Sequence, residues 1–145
     1  MPKDFKDLPK IVAVDFDGTL VTDRYPEIGE PNEELFAILK TLRQNCGVKI
    51  VLWTCRNFTK KHGDMLEDAI EFCKARGLEF DAINENIQEV QELTGEDTRK
   101  VYADLYLDDK SVLPDTLVVR WLDKLGASWY DVMRANGSAP ILGEE

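Results

Sequence analysis

The chain has 145 residues, 43% hydrophobic and 32% charged, with a net charge of −10 and a pI near 4.6. That length and balance predict one soluble domain with a hydrophobic core of its own. The acidic charge weighs against nucleic acid and anionic membranes as partners, and no apolar run approaches the length of a membrane span.

Residues 1–9 are charged, carry no apolar signal core and predict a short lead-in. Cys46, Cys55 and Cys73 are odd in number and form no Cys-x-x-Cys pair. They suit neither a disulfide framework nor a zinc site, and a reducing cytoplasm is expected.

The first strand is predicted over residues 10–17. Its run Ile11-Val12-Ala13-Val14 is apolar and β-branched, as in a strand buried on both faces of a parallel sheet. It ends in Asp15-Phe16-Asp17-Gly18-Thr19. Alternation puts Asp15 and Asp17 on one side, and Gly18 allows a sharp turn. Two carboxylates so close resist ionising together, so their pKa values should separate. A loop or small hairpin follows over residues 20–31, punctuated by Pro26, Gly29 and Pro31.

Asn32 predicts a helix N-cap, with Glu33 and Glu34 in the first turn. Leu35, Ile38, Leu39 and Leu42 keep helical spacing, and Gly47 ends the helix. Residues 48–54 form the second predicted strand, ending in Thr54. A loop over 55–63 leads to a second helix, opened by Asp64 with Glu67 and lined by Leu66, Ala69, Ile70 and Cys73. A third strand is expected at 80–84, a weaker helix at 85–93, and a fourth strand at 101–107 ending in Asp108-Asp109. Residues 117–120 suggest a short fifth strand, Ser128 a last helix to about residue 135, and 136–145 a frayed tail.

This rhythm predicts an α/β fold: a three-layer, doubly wound, Rossmann-like domain with a mostly parallel sheet. In a parallel sheet the strand ends converge on one edge, so Asp15, Asp17, Thr54, Asp108 and Asp109 should share one polar site. The four carboxylates offer the hard oxygen ligands that Mg²⁺ prefers. Thr54 adds a hydroxyl donor, and Arg99 or Lys100 a cation from the flank. The set suits phosphoryl transfer. A carboxylate attacks the phosphoryl group, the cations neutralise charge, and Asp17 moves the proton.

With those residues in view, the chain resembles the haloacid dehalogenase-like (HAD) superfamily of aspartate-nucleophile phosphohydrolases. Asp15-Phe16-Asp17-Gly18-Thr19 matches its first motif, Val51-Leu52-Trp53-Thr54 its second, and Leu107-Asp108-Asp109 its fourth. The resemblance implies that Asp15 is the nucleophile and Asp17 the general acid/base. Mg²⁺ would then bind Asp15, Asp108 and the backbone carbonyl of Asp17, with Asp109 binding directly or one step removed. Thr54 would hold the transferred phosphoryl oxygens, and Gly18 and Arg56 are further candidates for substrate contact. The basic third motif falls on Lys100, with Arg99 beside it. Asp104, near the start of its strand, is left out of the site.

Family members usually carry a cap domain, for which this chain has no room. Open sites, large substrates or a neighbouring subunit in a homo-oligomer replace the cap in such enzymes. The loop Tyr25-Pro26-Glu27-Ile28-Gly29 is the expected flap. Leu105-Tyr106-Leu107-Asp108-Asp109 also resembles the deoxyribonucleotidase branch, which makes a nucleoside monophosphate one candidate among phosphorylated small molecules and macromolecules.

The remaining signals have simpler readings. Arg56 is balanced between substrate recruitment and a solvated loop, whereas Lys60, Lys61 and His62 read as surface. Trp53 reads as packing beneath a helix, and Trp121, Trp129, Tyr130 and Met133 as the packing face of the C-terminal segment. Cys55 lacks the arginine of a Cys-x₅-Arg phosphate loop. Three rivals stand beside the phosphatase: a phospho-accepting receiver-like module, a catalytically idle binding module, and a polynucleotide 3′-phosphatase. The receiver places its motifs in a different order, and the acidic charge opposes the nucleic-acid enzyme.

Overall fold

The computed structural model describes residues 2–111 and 125–126. A 3-10 turn at Phe5–Asp7 precedes β1 (Ile11–Val14), α1 (Glu33–Cys46), β2 (Lys49–Leu52), β3 (Phe58–Thr59) and β4 (Gly63–Asp64). Then come α2 (Met65–Ala75), β5 (Ala82–Ile83), α3 (Gln88–Thr94) and β6 (Leu105–Leu107). The main sheet runs β5-β2-β1-β6 and every pairing in it is parallel. Parallel neighbours cannot be joined by tight turns, so α1, α2 and α3 serve as the crossovers.

The unbroken apolar strands follow from burial on both faces. Val12, Val14, Ile50 and Leu52 pack with Phe36, Leu39 and Leu42 of α1 and with Ala69 and Cys73 of α2. Ile11, Ala13 and Val51 face the other way, onto Ile87, Val90 and Val101. These are the three layers expected, with α1 and α2 on one face and α3 on the other. Trp53 packs against the second cluster, as its position suggested. Asn32 Oδ1 accepts from Leu35 N at 3.1 Å, and Asp64 Oδ1 from Glu67 N at 3.0 Å. Each cap satisfies an otherwise orphaned helix donor and contributes about 1 kcal/mol.

Several boundaries differ from the sequence reading. β1 stops at Val14, and β6 starts only at Leu105. Before β6, Asp104 N donates to Ile11 O and the Asp104 carboxylate accepts from Ile11 N, both at 2.8 Å. α3 begins later than expected because Asn86 is engaged elsewhere. Its buried side chain bonds Asp97 Oδ1 at 2.8 Å and Tyr102 N at 2.6 Å. The expected loop at 55–63 contains a small antiparallel hairpin, β3 with β4. Residues 20–32 do fold back on themselves, through Thr22 N to Glu30 O and Asn32 N to Leu20 O, both 2.8 Å. Gly29 permits this, since a Cβ there would lie 2.1 Å from Thr22 O. No inserted domain interrupts the described residues, and none of their helices is long and apolar enough to cross a membrane. The strand expected at 117–120, the helix at 128–135, the packing face of Trp121, Trp129, Tyr130 and Met133, and the tail at 136–145 lie outside the described residues.

Candidate active site

The sheet order reverses at β1, because β2 and β5 lie to one side of it and β6 to the other. Open α/β sheets leave a crevice at such a point, outside the carboxyl ends of the strands. The register brings three ends level there, with Val14 opposite both Leu52 and Leu107. Asp15 N donates to Leu107 O at 2.9 Å and Trp53 N to Val14 O at 2.8 Å. The residues that follow, Asp15, Thr54, Asp108 and Asp109, therefore meet around one pocket of about 370 Å³. Asp17 and Arg56 also line it, while Phe16 between the two aspartates is fully buried.

Carboxylate oxygens of Asp15, Asp108 and Asp109 lie within 4.8 Å of one another. Burial pushes the Asp15 carboxyl up to about 7, and the charges of Asp108 and Asp109 push the same way. A hydrogen bond from Phe16 N opposes the rise. Separated carboxyl pKa values are found between Asp15 and Asp109, which are close through space rather than along the chain. Asp109 is held below the usual carboxylate range by its hydrogen bond to Lys110, whose ammonium lies 3.0 Å away. Lys110 N also donates to Asp108 Oδ1 at 2.8 Å. Gly18 is demanded by the same cluster. Its φ is +86°, and a Cβ there would fall 2.3 Å from Asp109 Oδ2.

Asp17 points to a different partner. Arg56 Nε donates to its Oδ2 and Nη2 to its Oδ1, both at 2.8 Å. Nη2 also donates to Glu27 O at 2.8 Å. The guanidinium carbon lies 5.0 Å from the Phe16 ring centroid and 5.4 Å from that of Tyr25. Arg56 is only 2% exposed, so it is neither a solvated loop residue nor a free recruiter of anions. Burial of a guanidinium is tolerable because a carboxylate, a carbonyl and two ring faces replace its water.

Thr54 is fixed by its backbone and its side chain. Its N–H donates to Asn84 Oδ1 at 2.8 Å, and its Oγ1 accepts from Arg56 N at 3.1 Å. That leaves the hydroxyl hydrogen available to an oxygen in the pocket. Asn84 has φ 55°, a left-handed conformation that Asn tolerates better than most residues. It was missed in the sequence because only the third strand's register brings it beside Thr54.

Lys100 is not brought to this pocket. Its ammonium lies 5.0 Å over the Tyr106 ring, and neither it nor Arg99 lines the cavity. The lysine at the pocket is Lys110, together with Asp23, Tyr25 and Cys55. Its signal was present in the sequence, as the first residue after the acidic pair at a strand end. Asp104 stays outside, as expected, bonded to the start of β1. Lys60, Lys61 and His62 are exposed. A larger groove of about 800 Å³ adjoins the pocket across Arg56, between Pro26–Ile28 and the face of α2 bearing Met65 and Phe72.

No protein-family model matches the chain, and no curated protein does. Among solved structures, that of a conserved protein from Bacteroides thetaiotaomicron is similar, with 39% identity and a TM-score of 0.64. The match covers 86% of this chain and 98% of that one.

Proposed function

The chain belongs to the same family as this conserved Bacteroides thetaiotaomicron protein, and we propose that it is a Mg²⁺-dependent phosphatase acting on a phosphomonoester through an aspartyl-phosphate. On the same reading it is a capless HAD-like hydrolase. The observation that carries the proposal is the convergence of Asp15, Asp108 and Asp109 within 4.8 Å, in a pocket that Thr54 and Lys110 also line. Three carboxylates this close, one of them pushed up to about 7, are the donor set of a hard divalent cation. Asp15, Asp108 and Asp109 would hold Mg²⁺, which when bound supplies the positive charge that lets an anionic carboxylate approach an anionic phosphoryl group.

The chain's own residues account for the remaining steps. An Asp15 oxygen attacks phosphorus, and the bond from phosphorus to the leaving oxygen breaks. Asp17 gives that oxygen a proton. Asp17 then takes a proton from water, which attacks phosphorus and releases Asp15 and inorganic phosphate. A carboxylate offers about four lone-pair sites, and Arg56 occupies two on Asp17, so two stay open toward the leaving oxygen or a water. The Thr54 hydroxyl donates to a phosphoryl oxygen. Lys110, rather than Lys100, supplies the flanking positive charge.

The test is hydrolysis of an aryl phosphate with Mg²⁺, with EDTA, and by Asp15→Asn protein. Metal-dependent turnover that the variant lacks is the expected result. No turnover, together with no binding of a phosphate analogue such as vanadate, overturns the proposal. One observation favours a second reading, a phospho-accepting module: the pairing of both Asp17 oxygens with a buried guanidinium. A single stoichiometric phosphorylation by acetyl phosphate without turnover would select it. A reducing cytoplasmic setting belongs to the same proposal and suits the free thiols Cys46, Cys55 and Cys73.

A further inference from the structure

The Arg56 guanidinium lies over the rings of both Phe16 and Tyr25. Phe16 is fully buried, and the guanidinium lies against it at 5.0 Å and against Tyr25 at 5.4 Å. Tyr25 is 51% exposed. Of the exposed large hydrophobic side chains among the described residues, Phe5, Tyr25 and Phe58, only Tyr25 lines the pocket of Asp15, Asp108 and Asp109.

Its loop is tied down on both sides. Tyr25 N donates to Asp23 Oδ1 at 3.3 Å, and Arg56 Nη2 to Glu27 O at 2.8 Å. Glu30 N donates to Thr22 Oγ1 at 2.9 Å. A loop held in this way needs less ordering before it binds a partner, which lowers one cost of association.

We infer that Tyr25 is the platform for the substrate's leaving group, and that this group presents a flat aromatic or heteroaromatic ring. The inference rests on the phosphatase reading of the same pocket and adds the class of alcohol that is released. Three observations support it. The cavity of about 370 Å³ has room for a phosphoryl group and one ring, and no inserted domain interrupts the described residues around it. Tyr25 stands at its wall with half of its surface open. The ring is already in contact with a cation, which draws on the quadrupole that would attract a second cation. A neutral planar ring in offset or edge-on contact makes better use of such a face than an ammonium does.

The experiment compares benzyl phosphate with cyclohexylmethyl phosphate, which have similar size and the same kind of primary alkoxide leaving group. Wild-type protein should favour the benzyl ester in kcat/KM by roughly three- to tenfold. Tyr25→Leu and Tyr25→Ala should bring that ratio close to one, whereas Tyr25→Phe should keep it. The corresponding phosphonates, which cannot be hydrolysed, are titrated into the same proteins by calorimetry with Mg²⁺ present. Turnover of both esters with no benzyl preference, or with a preference that survives Tyr25→Leu, overturns this inference and leaves the phosphatase reading standing. Tyr25-dependent preference for the benzyl phosphonate without turnover of either ester overturns the hydrolytic reading and supports the platform. Binding of neither phosphonate and turnover of neither ester overturns both.

Discussion

Asp17 gives both of its carboxylate oxygens to Arg56, each at 2.8 Å, although 39 residues separate the two in the chain. The pair links the first strand's end to the loop after the second strand. Through Glu27 O it also reaches the loop over the pocket. Removing one partner strands the other. Arg56→Met is expected to destabilise the protein by ~2–4 kcal/mol, because Asp17 and the Glu27 carbonyl lose their donors in a largely buried place. Arg56→Lys should recover part of this, since an ammonium lacks the two-pronged geometry. Urea denaturation of Arg56→Met, Asp17→Asn and the double variant provides the check. The double variant should lose less than the sum of the singles. Simple additivity would show that the pair does not couple.

Asp15 makes stability depend on pH. Its carboxyl titrates near 3.8 in an unfolded chain and about 7 in the folded protein without metal, chiefly through burial. The folded state therefore holds the proton longer. Metal-free stability should fall as pH rises from about 4 to above 7, by ~1–2 kcal/mol once screening of a half-exposed group is allowed for. Asp15→Asn removes that loss. In EDTA the variant should melt a few degrees above wild type at pH 8 and close to it at pH 4, while turnover is abolished. An equal difference in Tm at both pH values would show that carboxylate ionisation is not its cause.

Gly18 cannot be replaced without moving Asp109. A Cβ would lie 2.3 Å from Asp109 Oδ2, and the φ of +86° is strained for any other residue. Gly18→Ala should cost ~1–3 kcal/mol and raise the Mg²⁺ concentration needed for half-maximal activity. Gly47→Ala is the control for backbone strain alone, because its φ is +70° with nothing within 4 Å of the added carbon. It should lose stability but leave the metal titration unchanged. Equal metal titrations for both variants would remove Gly18 from the support of Asp109.

The flanking charge can be assigned by two lysines. Lys110→Ala should lower kcat/KM by about tenfold, less than the loss of a buried oxyanion donor because this lysine is exposed. Lys100→Ala should change it by less than about twofold, since that ammonium lies over Tyr106 and outside the pocket. Steady-state rates at two salt concentrations check both. The Lys110 effect should shrink as salt rises. The reverse ranking would return the role to Lys100.

By itself the sequence determined the layers and the edge on which the acidic residues gather. Apolar strands, helix caps at Asn32 and Asp64, and glycine stops are local signals. They therefore survive in the fold with shifts of only a few residues at most ends. Tertiary structure decided the partners. Asp15 meets Asp108 and Asp109 because β1 and β6 are neighbours in register, while Asp17 turns to Arg56. Lys110 lines the pocket and Lys100 does not, because β6 is short and the chain over 101–104 is held largely by Asp104 and Asn86. Arg56 looked like one more charge in a polar loop. Only its contacts with the Phe16 and Tyr25 rings, Asp17 and the Glu27 carbonyl make its burial favourable. Those contacts span up to 40 residues of chain, and no local pattern encodes them.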